Sequence, residues 1–564
     1  MPPPPAGDGA APLGADRLRL AVSERAQRAA DKVATAADAA RESVQETLAS
    51  AQASAREQFA QFADFLAGYR ERLAHVFDAR VDLDKLNLTR GIPAFALDAL
   101  RQDRAAPGLS ANADPLSVYI PTQYGGRGGH IHEGLAMLEA TGYESLPLSL
   151  MMGINGALFL QPVAKYGQEP AKREVLGRFL QGRRMGGLMI TEPDYGTDAL
   201  KMETSFEEQG GHYHLEGTKH WAGLTGWADY WLLTAREKTD RGLGRDVGFF
   251  VCDVSQPGQH IEVEEVYPNL GLRILPYGRN RIDVRVPKSY RLEPHTSGVK
   301  MMLDVLHRSR LQFPGMGMGF LRRMLDEAIA HTQTRSAGGR PLIALDQVRA
   351  RIARIQTACT ATAAMCAFSS ERASTANDCA NDAVPANAIK ATVTDWMQSA
   401  AQSLVQLMGA QGYRADTIAG RALVDSRPFQ IFEGANDVLY AQVAENVLKA
   451  MRKMKEADLG AYLRTDEHFS RAAERMKGLL DITVDLQMPQ RKLVALGEAL
   501  SNLFSMDVTL RFGDSGFRAD LIEQAVETLR EDVRGMLDTV RHGSLADVIE
   551  DVAPAASWLP MASR

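Results

Sequence analysis

The spacing of apolar residues changes twice along the chain, and the changes mark its parts. Between about 15 and 75, Val22, Ala26, Ala29, Val33, Ala37, Ala40, Val44 and Leu48 fall three or four apart, the spacing of one helix face. The stripe is thin and mostly alanine, so this helix needs a surface to lie on: its own subunit, a neighbouring subunit, or a reversible lipid contact. Helical spacing continues from about 80 to 187, broken at Ile120-Pro121-Thr122-Gln123-Tyr124-Gly125-Gly126. Between 188 and 292 alternation replaces it. Short runs at 212–215 (after Gly210-Gly211), 230–234, 247–254 and 282–286, separated by turn residues, predict a small antiparallel β domain.

From about 296 the helical period returns over 297–335, 342–374, 384–410 and 434–453. Long segments with short connections predict an antiparallel four-helix bundle, with Pro314 kinking the first. The fold class is therefore α+β: an N-terminal helical domain, a small antiparallel β domain, a C-terminal four-helix bundle and extra C-terminal helices. The boundaries are a disordered tail at 1–14, an amphipathic helical extension at 15–79, an α domain at 80–187, the β domain at 188–292, the bundle at 293–454 and an acidic helical extension at 455–564.

Composition narrows the function. The 564 residues are 45% hydrophobic, enough for several cores, and carry a formal net charge of −6. That balance argues against a nucleic-acid binder, although a local basic patch can still hold an anionic ligand. The first residues have neither a basic n-region nor an apolar h-region and read as no signal peptide. No apolar run reaches the ~18 residues that span a bilayer. The cysteines, Cys252, Cys359, Cys366 and Cys379, show no CxxC or Cys/His spacing. They read as free thiols in a reducing, cytoplasmic setting, with no metal site.

Three stretches carry candidate chemistry. Met189-Ile190-Thr191-Glu192-Pro193-Asp194-Tyr195-Gly196-Thr197-Asp198 is turn-rich, with two hydroxyls beside a glycine. It is either a plain loop or a cradle for a polar ring edge or a phosphate. Gly217-Thr218-Lys219-His220-Trp221-Ala222-Gly223 places an indole on a strand, ordinarily a core position. In Gln430-Ile431-Phe432-Glu433-Gly434-Ala435-Asn436-Asp437, Glu433 lies between apolar residues and a glycine that opens a helix. Desolvation by Ile431 and Phe432 would raise its pKa and suit it as a base. The alternative is a carboxylate stabilised by the helix dipole.

In this order the stretches resemble the acyl-CoA dehydrogenase family over about residues 80–450. The Thr-Glu-Pro-x-x-Gly-Thr-Asp run, the Gly-x-Lys-x-Trp strand, Tyr124-Gly125-Gly126, Arg335 to Gln347, Gln406-Leu407-Met408-Gly409-Ala410-Gln411-Gly412-Tyr413 and Phe432-Glu433-Gly434-Ala435-Asn436-Asp437 carry the likeness. The last is similar to the very-long-chain form. The resemblance implies FAD, held by Leu188, Thr191, Thr197, Trp221 and Gly223, with Arg335, Gln347, Gln406 and Gly409 around its adenine half across a subunit interface. It implies Glu433 as the catalytic base with Arg310 beside it, and Thr197, Gly434, Gly153 and Gly156 near the acyl-CoA. The family's other base position falls on Ser309, a poor base, which favours Glu433.

The implied reaction is α,β-dehydrogenation of an acyl-CoA, with the thioester oxygen bound by the Glu433 backbone N–H and a flavin hydroxyl. The implied acceptor is an electron-transfer flavoprotein, and the implied assembly is a homodimer or homotetramer, with peripheral membrane contact through the extensions. An acyl-CoA oxidase using O2 and a catalytically silent relative acting as a binding module are the alternatives. Gly223 stands where many members carry Thr or Ser, Ala435 replaces Thr, Gly338 replaces Phe and Ala410 replaces Gly. Each removes one cofactor contact. Gly153 and Gly156 either leave room for a long acyl tail or serve helix packing.

Overall fold

The structure, a computed structural model, describes residues 115–182, 184–485 and 487–543 continuously, with scattered residues of 49–73 and 548–562. The tail at 1–14, the stripe from Val22 to Leu48 and the start of the 80–187 domain lie outside the described residues. The chain divides into two compact units, Met1–Gly68 and Tyr69–Arg564. In the first, the described residues are helical, and Phe62 and Phe65 stack with ring centroids 6.1 Å apart.

The second unit begins with helices α1 (Ile131–Glu144), α2 (Leu146–Tyr166) and α3 (Glu169–Gln181). Ser145 starts α2 by accepting a hydrogen bond from the Leu148 N–H, an N-cap followed by a proline in the first turn. The middle of α2, Ile154–Leu160, is wound as a π-helix, a form that in other proteins clusters at functional sites.

Strands β1 (Gly186–Met189), β2 (Ser205–Gln209), β3 (His212–Gly223), β4 (Tyr230–Thr239), β5 (Gly242–Asp253), β6 (Gln259–Val266) and β7 (Tyr277–Pro287) form one sheet, ordered β1-β4-β2-β3-β7-β6 with β5 on β4. The pairings β2–β3, β3–β7, β4–β5 and β6–β7 are antiparallel, as the alternation predicts. Two are parallel, β1–β4 and β2–β4. β1 and β2 reach β4 from the loop that carries Thr191, a long-range pairing that strand-by-strand alternation does not encode.

Helices α4 (Gly298–Arg310), α5 (Phe313–Thr334), α6 (Asp346–Arg372), α7 (Ala383–Met408), α8 (Ile418–Ser426) and α9 (Asn436–Met454) follow. The single kinked helix expected over 297–335 is two helices. The break falls at Leu311–Gln312, and Pro314 occupies the first turn of α5, where its missing N–H costs nothing. Helices α5, α6, α7 and α9 pack together, and α1 lies across α5. That crossing is close: a Cβ on Gly319 would stand 2.0 Å from the Glu139 carbonyl.

The extension forms α10 (Leu459–Thr465), α11 (Ser470–Arg475), α12 (Gln490–Asp514) and α13 (Ala519–His542). α12 packs on α9, α7 and α6. At Gly497 an added Cβ would meet the Tyr440 carbonyl at 1.8 Å, so glycine sets the helix separation. Contrary to the reading of apolar run lengths, α2 and α12 are long and apolar enough to cross a membrane; their apolar windows are 94% and 72% buried within the protein.

Candidate active site

The Thr191 loop is tied to the Trp221 strand by a buried ion pair. Lys219, fully buried on β3, donates to Glu192 Oε1 (2.8 Å), the Ile190 carbonyl (3.1 Å) and Thr234 Oγ1 (3.1 Å). Glu192 also accepts from the backbone N–H groups of Glu203 (2.5 Å) and Thr204 (3.0 Å). Burial alone would raise the Glu192 carboxyl, but Lys219 and these donors hold it below its ordinary value. Burial draws Lys219 down to about 8, so the pair stays ionised at neutral pH. Neither residue was assigned a role from sequence; their opposite charges, Glu192 in the first motif and Lys219 in the second, were the available signal.

With its base anchored, the loop leaves Thr191 half-buried and Thr197 exposed, and beside Gly196 there is open space where a side chain would stand. Trp221 is not a core residue. It sits at a bulge in β3 with φ +54°, is 53% exposed, and packs against Tyr267 with ring centroids 4.5 Å apart.

Leu188, half-buried on β1, lies just before this loop. Gly223 ends β3 opposite Tyr277 of β7. A Cβ at Gly223 would meet Ile154 Cδ1 at 2.8 Å and the Tyr277 ring at 3.4 Å. The missing hydroxyl of the family residue is therefore not merely absent: Ile154, from the π-wound part of α2, and Tyr277 take up its space.

Tyr277 leads to Glu433. Burial pushes the Tyr277 phenol far up, and the Glu433 carboxylate adds to the shift. Glu433 lies in the turn between α8 and α9 at φ +56°, followed by Gly434 at φ +93°. Its Oε1 accepts from Ser309 Oγ (3.2 Å) and its backbone carbonyl accepts from Arg310 Nε (2.9 Å). Both expected base positions thus converge, with Arg310 beside them. Oε2 is buried without a hydrogen-bond partner among the described residues. Burial raises the Glu433 carboxyl above its ordinary value, opposed by Arg310, the Ser309 hydroxyl and Lys390.

The raised carboxyl and its cause, desolvation, agree with the sequence reading, but Ile431 is not the residue that supplies it. Ile431 is 56% exposed and does not cover Glu433. The helix begins only at Asn436, beyond Gly434, and burial, not a helix terminus, dominates the titration.

Several groups that hold the turn were missed. Asn387 Oδ1 accepts from Arg310 Nη1 (2.7 Å), and Lys390 Nζ donates to the Gly434 carbonyl (2.7 Å) and Asn436 Oδ1 (2.9 Å). Asp395 receives Gln430 Nε2 (2.6 Å), Asn436 Nδ2 (2.7 Å) and the Tyr440 hydroxyl (2.6 Å), clamping the turn on both sides. These α7 residues are polar on an otherwise apolar face, the one sequence signal that could have found them.

Gly153 and Gly156 divide. Beside Gly153 a Cβ would touch Met316 Sδ at 3.6 Å, ordinary contact, whereas at Gly156 it would enter the Tyr119 ring at 2.4 Å. Gly156 therefore serves packing and opens no room for an acyl tail. Arg335, Gln347, Gln406 and Gly409 are all exposed on the chain. Gly338 and Gly339, at φ +58° and +76°, form the turn of a hairpin between Ser336–Ala337 and Arg340–Pro341, a two-residue turn that needs positive φ. Ala435 caps α9 without a side-chain hydrogen bond.

The cofactor that this arrangement fits is a flavin. Among the described residues a buried carboxylate oxygen of Glu433 has no partner, the Tyr277 phenol feels its charge, and an exposed indole follows a loop whose Gly196 stands beside open space. Comparison with known proteins agrees. Residues 107–183, 187–284 and 296–448 match the family models of the N-terminal, middle and C-terminal domains of acyl-CoA dehydrogenase. An acyl-CoA dehydrogenase of Bacillus subtilis is 24% identical over 57% of this chain and 84% of that protein. The mitochondrial isovaleryl-CoA dehydrogenase of Pongo abelii is 27% identical over 58% of this chain and 77% of its own. A Bacillus anthracis acyl-CoA dehydrogenase solved with FAD superposes with a TM-score of 0.69 at 17% identity, covering 85% of this chain and 87% of that one. The chain belongs to the acyl-CoA dehydrogenase family of FAD-dependent oxidoreductases acting on CH–CH donors.

Proposed function

We propose that the protein desaturates an acyl-CoA thioester between its α and β carbons, with Glu433 taking the α proton. The observation that carries this reading is the buried Glu433 carboxylate, with one oxygen held by Ser309 and the other left without a partner. A desolvated carboxylate with a free lone pair is a stronger base than one in water. The Glu433 N–H joins no backbone–backbone hydrogen bond among the described residues, which leaves it to donate to the thioester oxygen and stabilise the developing enolate. Arg310 fixes the Glu433 carbonyl, and so the direction of the adjoining peptide.

FAD, when bound, would supply the two-electron acceptor for the β hydride. Leu188, Thr191, Thr197, Trp221 and Gly223 would hold its isoalloxazine half; Arg335, Gln347, Gln406 and Gly409 would meet the adenine half of a partner's cofactor in a homodimer or homotetramer. Thr197 and Gly434 would contact the acyl-CoA. An electron-transfer flavoprotein is the proposed acceptor.

Anaerobic titration of the flavin-loaded protein with acyl-CoAs of graded length tests this. The flavin bleaches with its substrate class, and Glu433→Gln keeps the yellow cofactor but does not bleach. Bleaching at the wild-type rate in that variant reassigns the base, and no bleaching of the wild type with any thioester overturns the activity. Peroxide release without an added acceptor would point to an oxidase.

A further inference from the structure

We infer that Lys390 is a positioning residue for Glu433: locked between the Gly434 carbonyl and the Asn436 side chain, its ammonium fixes the turn that carries the base. This rests on the reading of Glu433 as the base.

The cost of placing a lysine there is the first argument. Lys390 is fully buried, and an ammonium taken from water needs strong compensation. Its direct partners are neutral, the Gly434 carbonyl at 2.7 Å and Asn436 Oδ1 at 2.9 Å. The charged groups that face it are Arg310 on α4, Glu433 in the turn and Asp395 on α7; burial and Arg310 draw Lys390 down to about 7, against Glu433 and Asp395. A methionine would fill such a site at lower cost if only packing were required.

The second argument is the backbone it holds. Glu433 and Gly434 have φ of +56° and +93°, and a side chain at positive φ is strained. Their consecutive carbonyls are each pinned by a cation, Glu433 O by Arg310 at 2.9 Å and Gly434 O by Lys390 at 2.7 Å. Asn436 completes the latch: its amide nitrogen donates to the Ala391 carbonyl (3.1 Å), Thr394 Oγ1 (3.0 Å) and Asp395 Oδ1 (2.7 Å). Asn387, Lys390, Ala391, Thr394 and Asp395 form one stripe of α7, and that stripe addresses Arg310 and the 433–436 turn. Without Nζ, the Gly434 carbonyl loses its donor and the turn can leave its left-handed conformation, moving the carboxylate off line. The same ammonium also favours the ionised base.

Lys390→Met, Lys390→Gln and Lys390→Arg are compared with wild type by flavin content, thermal unfolding, hydrogen exchange of the 428–440 segment, and anaerobic bleaching rate against pH and acyl-CoA concentration. Lys390→Met is expected to keep its flavin and exchange faster at 433–436. Bleaching should be about ten- to hundred-fold slower at saturation, the size of a small misplacement of a reacting group, with KM little changed and the rise with pH displaced upward. Lys390→Arg should recover part of the rate. If Lys390→Met does not fold, Lys390→Gln carries the same readouts. A folded, flavin-loaded neutral variant with wild-type exchange, rate and pH profile overturns the inference. Glu433→Gln, run in parallel, separates the two failures: if it bleaches, the base is wrong, and if it does not while Lys390→Met is normal, only the latch is wrong.

Discussion

Replacing Lys219 by methionine isolates the contribution of the ion pair beneath the flavin-side loop. The substitution nearly preserves volume, so the loss is electrostatic. Lys219 Nζ leaves Glu192 Oε1 at 2.8 Å, the Ile190 carbonyl and Thr234 Oγ1. The Glu192 side chain, 4% exposed, keeps two backbone donors but loses its one close countercharge among the described residues. Breaking a buried pair from one side costs about 3–5 kcal/mol, well beyond the roughly 0.5 kcal/mol of a neutral surface change.

The pH dependence gives the sharper test. In wild type the folded Glu192 is held below its ordinary value, so its stabilisation is present above the unfolded pKa and lost as pH falls. Without Lys219, burial is no longer opposed by a cation; the folded pKa rises and stability is lost as pH increases. The gap between the two proteins should be widest near pH 7.5 and close toward pH 4.5. Urea unfolding at both pH values, with flavin retention read from visible absorbance, measures it. Adding Glu192→Gln should recover part of the loss at neutral pH. A variant within 1 kcal/mol of wild type at pH 7.5, or a gap that widens on acidification, refutes the reasoning.

Ser309→Ala removes the one hydroxyl that donates to Glu433, at 3.2 Å. Hydrogen bonds to charged groups are worth about 1.5–3 kcal/mol, and the long distance puts this one at the low end, so the acidic limb of the bleaching rate should move up by about one pH unit. Asp425 accepts the Leu272 N–H at 2.6 Å, and burial raises its carboxyl to about 6 despite that bond, Arg421 and Arg273. Its folded pKa lies above the unfolded value, so it costs stability as pH climbs from about 4 to 6; Asp425→Asn should unfold later than wild type at pH 8 and show no advantage at pH 4. Gly497→Ala pushes a methyl against the Tyr440 carbonyl and should cost about 1–3 kcal/mol by overpacking, read by thermal unfolding; an unchanged midpoint would mean that α12 yields freely.

The long helices were legible because their faces bury continuous apolar stripes: the segments 342–374, 384–410 and 434–453 fall within a few residues of the observed α6, α7 and α9, whereas 297–335 covers both α4 and α5, because Pro314 opens a second helix rather than kinking one. Four strands of the sheet, β3, β4, β5 and β7, were found but cut short, and β1, β2 and β6 were missed. Strand β3 runs through Trp221 to Gly223 across a bulge, and β6 is mostly exposed, its short alternation at Ile261-Glu262-Val263-Glu264 set among charged residues. Of the site, the identity of Glu433 was legible and its environment was not. The groups that bury it, Ser309, Arg310, Lys390 and Tyr277, come from three other elements, and no local pattern states which distant side chains will meet. The same limit explains Gly156, whose neighbour Tyr119 lies 37 positions away, and Trp221, whose positive φ follows from strand pairing.

The seating of α12 at Gly497 has a consequence for assembly. The flank of α9 and α7 that a bare bundle would offer to a neighbour is already roofed by the chain's own C-terminal helices, with Leu496, Leu500, Leu503, Phe504 and Val508 turned inward. That flank is closed to a second copy, whereas Arg335, Gln347, Gln406 and Gly409 are exposed on the chain. Shearing off residues 455–564 would uncover a greasy strip on α9 and α7 and expose the chain to indiscriminate sticking.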